Sequence, residues 1–359
     1  MRILHVFRAP IGGLFRHIRD LAQAQAELGH EIGIICDANT GGPQADDLFA
    51  ELKPHCSLGI KRISMGRLPG FGDIMSARDV GTFAKQVGFD ILHGHGAKGG
   101  VYARLAASRA GAKAVYTAHG GTLHYSWKSP TGLIFLGVER LLLTKTDGLV
   151  FVCDYEKRTF DEKLGIGSTK NCVVHNGLWP HEFSPTKVSK TASDVLFIGE
   201  LRMLKGVDVL IEALADIDGA TATIVGDGPD RGIFETLVNS KGLSDKIKFT
   251  GAMPAHDAFG LGKLMVIPSR HESFPYIVLE AIAAHKPIIA SDVGGIGEVL
   301  DASCLVRAND KDCLKRQIQK FLAEPETAQT QANDRAKLLK EHKSVHAMAS
   351  QICAFYDTL

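Results

Sequence analysis

Residues 268–287 read PSRHESFPYIVLEAIAAHKP. The residues just before them, Lys263–Ile267, form a short apolar run that reads as a strand, and Phe274–Ala284 then reads as a helix. Ser273 is the expected cap, because its hydroxyl can accept from the first backbone N–H groups. Pro275 falls in the first turn, where its missing N–H costs nothing. Lys286 and Pro287 end the helix. The segment YIVLEAIAA is apolar on nearly every face, so burial is expected, yet it carries Glu280, and Glu272 stands just ahead of it. The amides of Tyr276 and Ile277 lie at the end where the helix dipole favours an anion. Such a helix suits a ligand with a phosphate and several hydroxyls. The same spacing also fits a surface Glu280 on a half-buried helix and a loop carboxylate at Glu272.

Working outward, Val/Ile/Leu runs alternate with amphipathic stretches from end to end, which predicts parallel sheets covered on both faces. Strands are expected at Ile3–Phe7, Glu31–Cys36, Lys61–Ser64, Asp90–His93, Ala114–Ala118, Leu149–Val152 and Cys172–His175. The segment NGLWPHEFSP (176–185) has the composition of a connection, and the alternation restarts after it. Each half opens as strand, glycine-bearing loop, helix: HVFRAPIGGLFRHI and LFIGELRMLKGVDVL. The expected organisation is therefore α/β, with two Rossmann-like doubly wound domains and an intervening cleft: residues 1–180, residues 181–340, and a C-terminal helix at 341–359 that crosses back to the first domain. In such sheets ligands sit outside the carboxyl ends of the strands, so the loops there are where chemistry is expected.

The 359 residues carry a formal net charge of +1, which gives no argument for a nucleic-acid partner. Residues 1–180 hold 21 Lys/Arg against 16 Asp/Glu and the remainder 20 against 24, so the first half is mildly basic and fits an anionic partner or a membrane surface. Seven scattered cysteines without metal or redox spacing read as small apolar residues in a reducing cytosol. No apolar run is long enough for a signal core or a span. GLIFLGVERLLL from Gly132 is the most apolar surface candidate, but Glu139 and Arg140 break it, so a core helix is expected ahead of one resting on a bilayer. In the loops, Arg202 and Lys205 beside Gly206 place two cations at a helix entrance, able to bind a diphosphate or simply solvated. VGDGPD, with Gly226, and DVGGIGEV supply glycines that let backbone approach a ligand. In the first half Gly12–Gly13 open a helix. HGHG (93–96) and TAHGG (117–121) both follow strands, so His95 and His119 are polar candidates there. No Ser–His–Asp or metal-ligand constellation emerges.

These residues together resemble the retaining glycosyltransferases of the fourth sequence family, which have the GT-B fold. The resemblance runs nearly end to end, through Gly12–Gly13, TAHGG, HNG at 175–177, GELRMLKGVDVLIEAL, IVGDGPD, the Glu272–Glu280 helix and DVGGIGEV. It implies that Arg202 and Lys205 hold the diphosphate of a nucleotide-sugar donor, and that Glu272 faces the sugar hydroxyls. It also implies that the backbone from Phe274 through Pro275 and Tyr276 to Ile277 binds phosphate and sugar, with Gly226 on the donor side, and that Glu280 takes the ribose. His119 then sits near the reacting centre, Gly13 near diphosphate and acceptor, and Gly12 and His95 on the acceptor side. The family's donor would be a UDP-, GDP- or other NDP-sugar, with no metal and no cofactor. Its acceptor would be a glycan or lipid-linked glycan, and the basic first half with the GLIFLGVERLLL stretch suits work in the cytoplasm, peripheral to the inner membrane face. One departure stands out: the family often begins the cation loop Gly-Arg-Leu, where this chain has Gly199-Glu200-Leu201. A nucleotide-sugar-binding scaffold without activity and a sugar-nucleotide epimerase are the competing readings.

Overall fold

Most Val/Ile/Leu runs are followed by a helix that returns the chain to the same edge, so the strands pair in parallel. The computed structural model describes residues 1–68 and 70–359. The chain divides into two compact units, Met1–Asn176 with Val345–Leu359, and Gly177–Ser344. The crossings thus fall at 176/177 and 344/345, against sequence boundaries at 180/181 and 340/341.

Among the described residues of the first unit, the strands are β1 (Arg2–Val6), β2 (Glu31–Asp37), β3 (Ile60–Ile63), β4 (Ile91–His95), β5 (Lys113–Thr117), β6 (Gly148–Phe151) and β7 (Lys170–Val173). They lie in the order β3-β2-β1-β4-β5-β6-β7. Helices α1 (Gly12–Glu27), α2 (Gly42–Leu52), α3 (Gly72–Val87), α4 (Gly96–Ala110), α5 (Pro130–Leu142) and α6 (Asp154–Leu164) connect them. The second unit has β8 (Ser193–Ile198), β9 (Ala222–Val225), β10 (Ile247–Gly251), β11 (Gly262–Ile267), β12 (Ile288–Ser291) and β13 (Leu305–Val306), in the order β10-β9-β8-β11-β12-β13. Its helices are α7 (Val207–Ala215), α8 (Arg231–Ser240), α9 (Ala255–Ala258), α10 (Tyr276–Ala283), α11 (Lys311–Ala323) and α12 (Pro325–His342). The last helix, α13 (Val345–Tyr356), packs on α1 in the first unit.

Three local expectations are corrected. The deciding helix begins at Tyr276, with Pro275 extended at the cap position and no side chain capping it. Proline disfavours helical backbone at the residue before it, which weighs against a first helical residue at Phe274 behind a Ser273 cap. Helix α2 was not anticipated, because Gly-Gly-Pro at its start reads as loop, although Ala45, Phe49 and Leu52 are buried at helical spacing. Glu139 does not break an apolar surface. It is 2% exposed and accepts from Arg104 at 2.8 Å and from the Tyr116 hydroxyl at 3.0 Å. A buried carboxylate needs such partners.

The interior of the first unit is unusual in holding a strip of histidines. His5 on β1 and His93 on β4 are register partners, and with His17 and His95 they are fully buried. Burial pulls His5 and His17 down to about 4. It also holds His93 and His95 well below the ordinary imidazole range, with repulsion from neighbouring rings adding to the effect. A folded value below the unfolded 6.5 means that the unfolded chain takes up more protons in acid. Their contribution is therefore complete above 6.5 and is lost as pH falls from there toward about 4. His5 and His17 each withdraw up to roughly 3 kcal/mol over that window. Urea unfolding measured from about pH 7.5 down to pH 4.5 should show stability falling from near pH 6.5 with more than one proton taken up. A flat profile down to pH 5 would contradict the neutral strip.

Candidate active site

The strand order of the second unit turns between β8 and β11, so the loops leaving these strands diverge and form a crevice at their carboxyl ends. The loop after β8 is GELRMLKG (199–206), and it closes in a 3₁₀ turn at Met203–Lys205. Across the switch point lies the loop after β11. Lys205 Nζ donates to Glu272 Oε1 at 2.7 Å, and Ser269 Oγ donates to the same oxygen at 2.7 Å. The Arg270 N–H donates to the Leu204 carbonyl at 2.8 Å, and its guanidinium forks onto Asp208 at 2.8 and 2.6 Å. Gly206 has φ +70°, and a Cβ there would lie 1.9 Å from the Pro268 carbonyl oxygen. Only glycine lets the two loops close.

The VGDGPD turn after β9 lies against the same loop. A Cβ on Gly226, where φ is +142°, would lie 1.8 Å from the Gly199 carbonyl oxygen. Met203 N–H donates to Asp230 Oδ2 at 2.7 Å. Arg202 Nε lies 3.8 Å from Glu200 Oε1, so its charge is answered on its own loop. Phe274 and Tyr276 are buried, while Pro275, Ile277 and Glu280 are half-buried. Gly295 N–H donates to the Ser273 carbonyl at 2.6 Å, tying in the loop after β12. The second-unit residues singled out in the sequence therefore gather at one sheet edge, with Lys205 and Glu272 in one ion pair.

In the first unit the order turns between β1 and β4. Gly12 and Gly13 are exposed at the start of α1, and His95 closes β4. His119 follows β5 with φ 51°, a left-handed conformation that is strained for a side chain of its size. Its turn is held by the buried Glu156, which accepts from Gly120 N–H at 2.6 Å and from Val152 N–H at 3.0 Å. A pocket of about 560 Å³ is lined by Arg8, Ile11, Lys98, His119, Tyr125 and Phe135 among others. His119 Nε2 lies 3.1 Å from His95 Nδ1, and His95 Nε2 lies 3.0 Å from His5 Nδ1. His5 Nε2 reaches Gln25 Oε1 at 2.8 Å. His95, expected on the acceptor side, is 1% exposed, and both its ring nitrogens are engaged by other imidazoles. His17 packs edge-on against His119, with ring centroids 4.7 Å apart, and its Nδ1 lies 2.9 Å from Asn176 Oδ1.

The fold also assembles what the sequence spacing did not suggest. Ring nitrogens of His17, His95 and His119 come within 4.8 Å of one another, as do those of His5, His93 and His95. Neither group includes a carboxylate to offset a buried divalent charge, and both contain an imidazole pair joined by a hydrogen bond. Sequence reasoning passed over Glu156, Arg270 and Gln25, which position the site rather than form it. Of these, Glu156 left a faint signal, as an acid in the first turn of α6.

Comparison with known proteins gives the family and the fold. A model described as glycosyl transferases group 1 matches residues 181–338, and one described as glycosyltransferase family 4 matches residues 11–180. The α-D-kanosaminyltransferase of Streptomyces kanamyceticus is 30% identical over 173 residues, 45% of each chain. The N-acetyl-α-D-glucosaminyl L-malate synthase of Bacillus anthracis is 25% identical over 358 residues, 95% of this chain and 92% of its own. Among solved structures, Anabaena HepE in complex with UDP and glucose has a TM-score of 0.86 at 19% identity, covering 100% of both chains. The two family matches abut at 180/181, both units are parallel α/β sheets, and the likeness in fold extends over the full length. The chain belongs to the group 1 glycosyltransferases and has their GT-B fold of two Rossmann-like domains.

Proposed function

We propose that this chain transfers a sugar from a nucleotide-diphosphate donor to a glycan or lipid-linked glycan acceptor, keeping the anomeric configuration and using no metal ion. The observation that carries the reading is the Lys205–Glu272 pair across the β8/β11 switch point, 2.7 Å between charged atoms. In the donor complex Lys205 and Arg202 hold the diphosphate, and they stabilise the charge that grows on it as the glycosidic bond breaks. Glu272, which already orients Lys205, takes hydroxyls of the sugar. The first turn of α10, from Phe274 through Pro275 and Tyr276 to Ile277, receives phosphate and sugar with its positive dipole end, and Gly226 lets the VGDGPD backbone approach. Glu280 takes the ribose. From the first unit, His119 is assigned to the transferred sugar, Gly13 to diphosphate and acceptor, and Gly12 to the acceptor side; His95, buried with both ring nitrogens on other imidazoles, supports that side only through His119. The leaving diphosphate itself helps take the acceptor proton on the same face. Lysine, arginine and helix dipole supply the charge stabilisation that a divalent cation supplies elsewhere.

The donors named for the relatives support a hexose-type sugar, and the UDP complex of HepE supports a UDP donor, with GDP- and other NDP-sugars sharing the diphosphate and ribose that this site would hold. The acceptor reading rests on the first-unit pocket, which sets Arg8 and Arg67 against Ile134 and Phe135, with Lys98 paired to Asp73. Beside it, α5 exposes an apolar face, with Ile134 at 61% and Leu141 at 69%. That combination suits a lipid-linked anionic glycan approached at the inner membrane face. Among the described residues no helix is long and apolar enough to cross a membrane. One feature favours an inactive nucleotide-sugar-binding scaffold: Glu200 pairs with Arg202. Such a protein would bind the nucleotide diphosphate but neither hydrolyse nor transfer the sugar.

Donor turnover should survive EDTA, and a strict Mg²⁺ requirement would contradict the metal-free mechanism. Lys205→Ala should lower kcat by about 10²–10³-fold while changing unfolding free energy by no more than about 1–2 kcal/mol; wild-type kcat would remove Lys205 from the site. The protein should sediment with anionic liposomes at low salt and be released by high salt. Failure to sediment at low salt would leave the membrane contact without support.

A further inference from the structure

We infer that Gln25, His5 and His95 are positioning residues that lock His119 into one tautomer, with Nε2 carrying the proton and Nδ1 presenting a lone pair. The enzyme thereby favours a sugar that offers a hydroxyl proton to that nitrogen. The inference rests on the proposed role of His119 at the transferred sugar and deepens it.

The argument begins at the buried end. Gln25 presents a carbonyl oxygen to His5 Nε2 at 2.8 Å, and a carbonyl can only accept. His5 Nε2 therefore carries the proton. His5 is fully buried and neutral, and a neutral imidazole has one N–H, so its Nδ1 is an acceptor. The 3.0 Å contact with His95 Nε2 then requires the proton on that nitrogen, leaving His95 Nδ1 as an acceptor. The 3.1 Å contact with His119 Nε2 places the proton there in turn. His119 is likewise held below the ordinary imidazole range by burial, with His17 adding repulsion. Its remaining nitrogen, Nδ1, has no hydrogen-bond partner among the described residues, and His119 lines the first-unit pocket. Three rings thus carry one direction of hydrogen bonding from a buried amide to the pocket. Reversing any one link would set two protons or two lone pairs against each other.

His93 stands outside the chain although its ring lies 4.0 Å from that of His95. Its nitrogens are taken by the Tyr356 hydroxyl at 2.6 Å and Thr117 Oγ1 at 2.8 Å. It packs against the chain without breaking its direction. His17, with Nδ1 on Asn176 Oδ1, buttresses the His119 ring from the side.

The test reads the tautomer directly. Long-range ¹H–¹⁵N NMR of the ligand-free protein at neutral pH should show His119 Nε2 protonated and Nδ1 unprotonated. Gln25→Leu, three rings away, should shift His119 toward a mixture of tautomers. His95→Leu should do the same and lower kcat/KM by about 10-fold to 100-fold. His95→Gln, whose amide can accept from His119 and donate to His5, should restore the single tautomer and near-wild-type kcat/KM. A protonated Nδ1 in the wild type would overturn the inference, as would His119 signals unmoved in both Gln25→Leu and His95→Leu. The NMR arm needs no substrate. If the tautomer is as stated but no donor is turned over, the functional reading fails and the relay stands.

Discussion

Backbone meeting backbone at a strand switch point is the constraint on which the second unit's edge depends. The loops after β8 and β11 leave the sheet in opposite directions, and they come together only because Gly206 has no side chain to strike the Pro268 carbonyl. Once closed, the loops are stitched by Arg270 to Leu204 and Asp208. The Lys205–Glu272 pair is a consequence of that closure. Both side chains are delivered to the same point by the closed main chain, and they meet at 2.7 Å. A preorganised cation of this kind is worth more to a developing anion than a mobile one, since no reorganisation is needed as charge builds.

The two units solve opposite electrostatic problems. At the edge of the second unit, charges remain: Lys205, Arg202, Glu272 and Glu200 are all at least partly solvated. Inside the first unit, five imidazoles converge with no carboxylate among them, and burial keeps them neutral. Neutral rings can pass hydrogen-bond direction from one to the next without a charged link. The acids nearby serve other ends. Glu156 holds the strained turn of His119, and Glu139 is spent on Arg104 and Tyr116.

Much of this was legible in the chain. The alternation of apolar runs with amphipathic stretches gave the two parallel sheets, because period and strand length survive without knowledge of tertiary contacts. Glycines after strands marked the loops of Lys205, Gly226 and Glu272, since those turns need backbone that other residues cannot adopt. Illegible were features that depend on which residue faces which. His5 and His93 read as strand residues, and their meeting with His17, His95 and Gln25 follows from pairing β1 beside β4 and packing α1 across them. Glu139 looked like an interruption of an apolar face because its partner, Arg104, lies on another helix. Ser273 resembled a helix cap because the effect of Pro275 on the preceding backbone outweighs a serine hydroxyl, which composition alone does not rank.

The direct measurement is a crystal structure of the protein soaked with a UDP- or GDP-sugar. The nucleotide should lie at the start of α10, its diphosphate within hydrogen-bond reach of Lys205 Nζ and its ribose hydroxyls on the Glu280 carboxylate. A nucleotide bound away from the loops after β8 and β11, or one whose diphosphate leaves the Lys205–Glu272 pair untouched, would contradict the assignment of that edge as the donor site.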